Sequence, residues 1–248
     1  MTRPLTLVTG GTRGIGAAIA QRLAQEGHDL VLGFHHDQEA AKATAAVVRR
    51  VGVACETVGA DLTTDAGIDT LFAAAADAGR LTGVVNNAGA TYMYAPLAET
   101  PTDTVRRVID INLTAAVLVA QAAVKTLSTA YGGAGGVLIN VSSGAATLGS
   151  PGEYVHYAAA KAGVDTLTKG LALEVADQGV RVVGVAPGLI LTDMHAHAGD
   201  PERPTRMAPG IPLGRAGKPE EVAEAVWWLM SNAAAYITGT TLRVAGGR

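Results

Sequence analysis

Short apolar runs alternate with alanine-rich helical segments along the whole chain, and this alternation restricts the possible folds more than any other feature. The runs typical of buried strands cover residues 5–9, 29–34, 53–58, 83–85, 137–141, 180–186 and 241–244. The segments with helical spacing cover residues 14–26, 38–51, 64–78, 101–130, 154–177 and 219–230. Repeated strand–helix units place helices on both faces of a parallel sheet. We therefore predict a single α/β domain over residues 1–248, with a doubly wound parallel sheet of seven strands.

Glycines and prolines mark the predicted boundaries of these elements. Gly27, Gly52 and Gly179 follow helical segments and favour the left-handed conformation that ends a helix. Pro101 suits the first turn of its helix, where the missing N–H does no harm. Residues 187–218 are rich in proline and glycine, and so long a loop in a compact domain is usually either functional or disordered. We predict that it forms a lid over a substrate.

Composition excludes several functional classes. Apolar residues make up 48% of the chain and charged residues 17%, which excludes a disordered chain. A net charge of −3 offers no basic surface for nucleic acid. Cys55 is the only cysteine, which excludes an intrachain disulfide and fits the reducing cytoplasm. His195 and His197 lack a third partner, so we predict no metal site. No signal-peptide core or uninterrupted apolar run of 18 residues is present, so we expect no leader and no membrane span.

A glycine-rich turn follows the first strand and opens the first helix, with the sequence TGGTRGIG at residues 9–16. Gly10, Gly14 and Gly16 would let the backbone approach a pyrophosphate at the helix N-terminus. The spacing Gly-x3-Gly-x-Gly departs from the commoner Gly-x-Gly-x2-Gly pattern, and a tight turn without a ligand is the alternative. In this strand–turn–helix context, the loop predicts a dinucleotide site.

The end of the second strand bears on the choice of dinucleotide. A carboxylate there would bind a free ribose diol, but His35 and His36 follow the strand and no acid precedes Asp37. Arg13 in the glycine loop offers a cation for a 2′-phosphate, and either histidine can add donors. These residues favour NADP(H) over NAD(H), although the histidines would equally suit a solvated turn.

Three polar residues point to proton transfer. Tyr157 and Lys161 are four residues apart in a helical segment, so they share one face. A nearby ammonium stabilises a phenolate and lowers its pKa, which would make the tyrosine a usable acid or base. Ser143 follows the fifth strand, at the sheet edge where ligands bind, and its hydroxyl could bond a substrate oxygen. The neighbouring Ser142 is interpreted as structural.

Together these motifs resemble the classical short-chain dehydrogenase/reductase family. The resemblance runs from TGGTRGIG through NNAG at residues 86–89, Asn112, Ser143 and Tyr157-x3-Lys161 to the closing PLGRAGKPEEVAEAV and YITGTTLRVAGG. It implies one Rossmann-fold domain that transfers a hydride between a nicotinamide cofactor and a carbonyl or alcohol. Tyr157 would be the acid or base, and Ser143 would position the substrate oxygen.

The resemblance also implies roles for the remaining site residues. Lys161 would hold the nicotinamide ribose and lower the pKa of the tyrosine, and Asn112 would organise a proton relay through water. With the loop and strand-end residues, the expected cofactor contacts are Gly10, Thr12, Arg13, Gly14, Ile15, Gly16, His35, His36, Asp61, Leu62, Asn87, Ala88, Gly89, Tyr157, Lys161, Pro187, Gly188, Ile190 and Thr192.

The substrate stays open among several classes. The chain is similar to 3-oxoacyl-carrier-protein reductases and to sugar or polyol dehydrogenases. Carrier-protein reductases commonly carry an arginine where this chain has Leu173, so we expect small ketones rather than carrier-bound chains as substrates. A non-catalytic nucleotide sensor is the competing functional class, and the complete Ser143, Tyr157 and Lys161 set argues against it. Because relatives are commonly tetramers, we expect a homotetramer.

Overall fold

A single sheet of seven parallel strands organises the molecule, in a computed structural model that describes residues 3–248. Its strand order is β3-β2-β1-β4-β5-β6-β7. The strands are β1 (Leu5–Val8), β2 (Asp29–Phe34), β3 (Cys55–Gly59), β4 (Leu81–Asn86), β5 (Gly136–Val141), β6 (Val180–Pro187) and β7 (Thr241–Val244). The predicted doubly wound α/β fold is therefore confirmed.

Helices connect consecutive strands and cover both faces of the sheet. The α-helices are α1 (Gly14–Gln25), α2 (Gln38–Arg49), α3 (Asp65–Ala78), α4 (Thr102–Ile109), α5 (Ala115–Leu127), α6 (Ala145–Leu148), α7 (Val155–Val175), α8 (Met194–His197), α9 (Arg203–Met207) and α10 (Pro219–Met230). Short 3-10 turns occur at Leu97–Glu99, Thr129–Tyr131, Ala176–Gln178, Ala208–Gly210 and Asn232–Ala234.

Two hydrophobic cores lie on opposite faces of the sheet. On one face, Ile19 and Leu23 of α1 pack with residues of α2, α10 and the strands. On the other face, Leu71 of α3 and Val119 of α5 belong to the cluster that also contains residues of α7. Alternate strand residues enter the two cores because successive side chains point to opposite faces. Burial on both sides explains why the strands read as continuous apolar runs.

The single helix predicted over residues 101–130 is wrong. Helix α4 ends at Ile109, a π-helical turn occupies Asp110–Thr114, and α5 ends at Leu127. Apolar spacing could not reveal the break because both helices keep the helical period on either side of one widened turn. Pro101 lies at the N-cap, just before α4, rather than within the first turn.

Other predicted boundaries shift by a few residues. Strand β3 begins at Cys55 rather than at residue 53, and β4 extends over Leu81–Asn86 rather than 83–85. The proline- and glycine-rich segment 187–218 is less irregular than expected, because α8 and α9 form within it. Gly27, Gly52 and Gly179 adopt φ values of 84°, 84° and 74°, the left-handed conformation expected at these helix ends.

One stretch is long and apolar enough to cross a membrane if length and composition alone are considered. It covers Thr102–Leu127 and reaches a mean hydropathy of 1.5. Core helices of water-soluble proteins pass the same test, and Val119, Ala123 and Leu127 of this stretch are fully buried against the sheet.

The strand order reverses beside β1, with β2 on one side and β4 on the other. In open parallel sheets, ligands bind in the crevice at the carboxyl ends of the strands that flank such a switch point. The glycine-rich turn after β1 and the NNAG segment after β4 both lie at this edge.

Candidate active site

The glycine-rich turn leaves a bare backbone surface at the start of α1. Gly10 and Gly14 have φ values of 59° and 50°, which side-chain-bearing residues rarely adopt. A Cβ on Gly16 would lie 2.0 Å from the Gly10 carbonyl oxygen, so only glycine permits this close packing. Arg13 precedes α1 without a side-chain cap, so the first N–H groups of the helix stay available to an anion.

The segment after β4 is joined to this turn by hydrogen bonds. The Asn87 side-chain amide donates to the Thr9 and Gly10 carbonyl oxygens, at 3.0 and 3.2 Å. The Thr9 hydroxyl accepts from the backbone N–H groups of Asn87 and Ala88, each at 2.9 Å. A Cβ on Gly89 would lie 3.4 Å from Lys161 Nζ. The segment after β4 therefore packs against the glycine turn at one end and against Lys161 at the other, along the sheet edge where an extended dinucleotide would lie.

Four of the remaining predicted cofactor residues fall into two groups, one beside the glycine turn and one buried. Thr192 borders the glycine turn, since its methyl group would lie 3.3 Å from a Cβ on Gly14. Leu62 and Ile190 have buried side chains that belong to the two hydrophobic cores, so only their backbone is available to a ligand. Thr12 is buried as well, and its carbonyl oxygen accepts from the Thr44 hydroxyl at 2.8 Å.

Three further predicted contacts belong to the frame around this path. Ile15 is partly buried and packs against the core on the α1 face of the sheet. The Pro187 carbonyl oxygen accepts from the Gly144 N–H at 2.7 Å, and the Gly188 N–H donates to the Val244 carbonyl oxygen at 2.9 Å. These bonds join the ends of β5, β6 and β7 at the substrate side of the sheet.

Charged groups gather beyond the end of β2. Arg13 is half-exposed, and its Nη1 lies 3.6 Å from an Asp37 carboxylate oxygen. The other oxygen of Asp37 caps α2 by accepting from the Ala40 N–H at 3.0 Å. The rings of His35 and His36 stack with centroids 3.4 Å apart, and His35 Nε2 lies 3.7 Å from the Asp61 carboxylate. The structure thus brings Arg13, both histidines and Asp61 to the edge where the adenosine half of a dinucleotide would lie.

Helix α7 brings two of the predicted catalytic residues together beside the end of β5. Tyr157 and Lys161 are 7% and 4% exposed. Lys161 Nζ donates to the Val141 carbonyl oxygen at 2.9 Å and lies 5.8 Å from the centre of the Tyr157 ring. The Ser142 hydroxyl donates to the Lys161 carbonyl oxygen at 3.2 Å, which agrees with the structural role expected for this serine.

Burial governs the proton affinities of this pair. Burial raises the pKa of Tyr157, and the Ser143 hydroxyl opposes that rise. Burial also lowers the pKa of Lys161 to about 8, against the opposing effect of the Asp165 carboxylate. Desolvation of the phenolate therefore outweighs the opposing influences on the Tyr157 hydroxyl, and the lowering of its pKa that the resemblance implies for Lys161 stays a prediction.

The π-helical turn positions Asn112 against the active-site backbone. Its side-chain amide donates to the carbonyl oxygens of Ala90 and Val108, at 2.6 and 2.9 Å. A Cβ on Gly89 would lie 2.6 Å from Asn112 Oδ1, so this side chain and Lys161 flank the same glycine. Such turns are frequent at functional sites because the extra residue redirects one side chain.

Sequence reasoning missed a buried cluster that joins the 187–218 segment to the start of α7. Arg203 forms a two-pronged ion pair with Glu153, with the shorter contact at 2.6 Å, and donates to the Tyr154 hydroxyl at 2.9 Å. The Tyr94 hydroxyl bonds His195 Nδ1 at 3.0 Å, while His195 Nε2 bonds a backbone carbonyl. No local pattern could reveal this cluster, because its members come from three separate segments.

The same cluster reaches the predicted acid or base. The Tyr154 ring stacks edge-on against Tyr157, with centroids 5.2 Å apart. Burial lowers the pKa of His195, which fits a neutral ring engaged at both nitrogens, and His197 is exposed. Within residues 3–248, no three His, Cys, Asp or Glu side chains are grouped as a metal site.

Comparison with known proteins identifies the family. A family model described as "Enoyl-(Acyl carrier protein) reductase" matches residues 10–248. The chain belongs to the short-chain dehydrogenase/reductase family. Among similar members, the "Uncharacterized oxidoreductase YgfF" of Escherichia coli (strain K12) is 42% identical over 245 residues, which are 98% of this chain and 99% of that protein.

Other members of the short-chain dehydrogenase/reductase family have named activities. The "3beta-hydroxysteroid dehydrogenase 1" of Eggerthella lenta is 40% identical and covers 97% of this chain and 92% of that protein. The crystal structure of acetoin dehydrogenase YohF from Salmonella typhimurium has a TM-score of 0.88 and 34% identity, with coverage of 99% of this chain and 97% of that chain. This short-chain dehydrogenase/reductase is therefore an oxidoreductase for alcohol or ketone groups that uses NAD or NADP.

Proposed function

We propose that the protein is an NADP(H)-dependent oxidoreductase that interconverts a ketone and a secondary alcohol. The observation that carries the proposal is the burial of Tyr157 and Lys161 beside Ser143, with Lys161 next to the Gly89 segment that is hydrogen-bonded to the glycine turn. The names of two relatives, a hydroxysteroid dehydrogenase and an acetoin dehydrogenase, agree with secondary-alcohol chemistry.

Four residues of this chain have separate roles in the proposed reaction. A nicotinamide dinucleotide, when bound, supplies or takes up the hydride. The Ser143 hydroxyl holds the substrate oxygen, and Tyr157 Oη gives a proton to that oxygen in reduction or removes it in oxidation. Lys161 places a positive charge near the phenol and stabilises the phenolate that reduction leaves behind. Asn112 holds the backbone beside Lys161 in place.

The preference for NADP(H) rests on Arg13. Its guanidinium is half-exposed beside the glycine turn, and its contact with Asp37 at 3.6 Å is an exposed ion pair of little strength. A 2′-phosphate offers a stronger, doubly charged partner. The Asp37 carboxylate favours NAD(H), but one of its oxygens already caps α2.

A turnover screen with both cofactors tests the proposal. Ketones, diketones, sugars and 3-oxoacyl thioesters are offered with NADPH and NADH, and we expect kcat/KM to favour NADPH at least tenfold, or about 1.4 kcal/mol. Arg13→Ala should remove most of this preference, whereas Arg50→Ala, another exposed arginine, should leave it unchanged. Equal efficiencies with both cofactors would contradict the NADP(H) assignment.

Carrier-bound 3-oxoacyl chains are the alternative substrate, favoured by the name of a relative, the "3-oxoacyl-[acyl-carrier-protein] reductase" of Synechocystis, which is 38% identical over 249 residues. Leu173 is 77% exposed on α7 at the position where such reductases commonly place an arginine, so this face offers an apolar side chain rather than a cation to an acidic carrier. A hundredfold advantage in kcat/KM for the carrier-bound chain over the same acyl group on a small thiol, abolished by salt, would establish the alternative.

We further propose a cytoplasmic homotetramer that binds neither nucleic acid nor membranes. The edge strand β7 exposes Leu242, and Tyr236 before it is fully exposed. An unpaired sheet edge that exposes apolar side chains is commonly covered by a partner. Light scattering at micromolar concentration should give four times the chain mass, and a stable monomer would contradict the assembly.

A further inference from the structure

A cavity beside Ser143 has an unusual charge. Residues from four segments line it, among them Ser143, Tyr154, Arg203, Arg243 and Arg248, with Leu148 and Leu189 as apolar walls. Three of the lining residues are arginines and none is Asp or Glu, although the chain as a whole carries a net charge of −3. Basic side chains therefore outnumber acidic ones in the lining of this cavity.

The arginines differ in how their charge is balanced. Arg203 is buried and paired with Glu153 at 2.6 Å, so its charge is already compensated. Arg243 is exposed, and in the part of the chain that the structure describes it forms no ion pair. Its Nη1 donates to the neutral Thr147 hydroxyl at 2.6 Å. An unbalanced guanidinium thus faces the cavity.

The position of Arg243 places its charge beside the segment that carries Ser143. Its Nη2 would lie 3.6 Å from a Cβ on Gly144, the residue that directly follows Ser143. Arg243 extends from β7, and the bond from Gly144 N–H to the Pro187 carbonyl oxygen holds the Ser143 segment against β6. The Thr147 bond leaves other guanidinium N–H groups able to bind a ligand, because arginine has five donors.

We propose that the preferred substrate is an oxo acid, a small ketone whose carboxylate binds Arg243 while its carbonyl oxygen meets Ser143. The inference rests on the proposed ketone reductase activity and names the substrate class for that site. A carboxylate matches the planar fork of a guanidinium with two parallel hydrogen bonds, which gives orientation as well as affinity. Leu148 and Leu189 would contact the aliphatic part between the two polar ends.

Matched acid and amide substrates test the proposal. The pairs are 3-oxobutanoate, 4-oxopentanoate and 5-oxohexanoate, each with its primary amide, which keeps the shape and removes the charge. We expect kcat/KM for at least one acid to exceed that of its amide tenfold or more in the wild type. The ratio should approach one in Arg243→Met and recover in part in Arg243→Lys. It should decrease at high salt, because the site is partly exposed.

A matched control and a second readout separate this inference from the proposed activity. Arg80→Met removes another exposed arginine outside the cavity and should leave the acid-to-amide ratio unchanged. The thermal shift given by the same acids, with cofactor present, should exceed that of the amides and disappear in Arg243→Met. Turnover of both members of each pair at equal efficiency, or an acid preference that survives in Arg243→Met, would overturn the inference. Acid-specific thermal shifts without turnover would support the anion site while contradicting the proposed reaction.

Discussion

Carbonyl reduction should lose efficiency as the pH rises through about 8, because the buried ammonium of Lys161 gives up its proton there. Burial lowers the pKa of this group from 10.5 to about 8. About ten in eleven molecules then carry the charge at pH 7 and about one in eleven at pH 9. If only the charged form stabilises the phenolate of Tyr157, the rate should fall about tenfold between these pH values.

The measurement is kcat/KM for the cofactor at a fixed ketone concentration well below its KM, between pH 6 and pH 10. This parameter reports pKa values of the unliganded enzyme, which are those the structure addresses. Tyr157 should not contribute to the decline, since burial raises its pKa and keeps the phenol protonated over this range. A single descending limb near pH 8 is therefore expected.

Two variants test whether deprotonation of Lys161 causes the decline in rate. In Lys161→Arg the guanidinium stays charged, so the remaining activity should be independent of pH up to 9. Lys169→Arg, an exposed position on the same helix, should keep the wild-type profile. A wild-type rate that stays constant to pH 10, or an identical decline in Lys161→Arg, would refute the reasoning.

Stability offers an independent check on the same pKa. Between about pH 8 and 10.5 the unfolded chain binds a proton at Lys161 that the folded protein does not, so this group makes folding more favourable as the pH rises. Lys161→Met lacks this contribution, so the free energy of unfolding of the wild type should rise relative to that of the variant as the pH rises over this window. Urea titrations at several pH values would measure both free energies.

Other substitutions test the catalytic and structural assignments. Tyr157→Phe keeps the ring but removes the proton, and kcat should fall by about 10²–10⁴ while cofactor affinity, measured by fluorescence titration, persists. Gly16→Ala would place a methyl group 2.0 Å from the Gly10 carbonyl oxygen and should weaken cofactor binding more than tenfold in the same titration. Gly170→Ala, on an open helix face, should stabilise the fold by about 0.5–1 kcal/mol in chemical denaturation. Glu153→Gln leaves a buried arginine without its counter-charge and should lower the melting temperature by several degrees, more than Glu56→Gln on the surface.

Local patterns in the sequence determined the fold class and much of the candidate site. The alternation of apolar runs with helical spacing required a parallel sheet, because each element had one way to bury its apolar face. The helix ends after α1, α2 and α7 could be predicted from their glycines, because no other residue adopts the left-handed conformation so easily. The pairing of Tyr157 with Lys161 could be predicted because residues four apart in a helix lie on one face.

Tertiary structure decided what depends on burial and on distant segments. The π-helical turn at Asn112 left no trace in the apolar spacing, because it is stabilised by bonds to Ala90 and Val108 rather than by a local signal. The proton affinities of Tyr157 and Lys161 follow from burial, which appears only when the helix packs against the sheet. The pairing of Arg203 with Glu153 joins residues fifty positions apart, and only the folded chain brings such charges together.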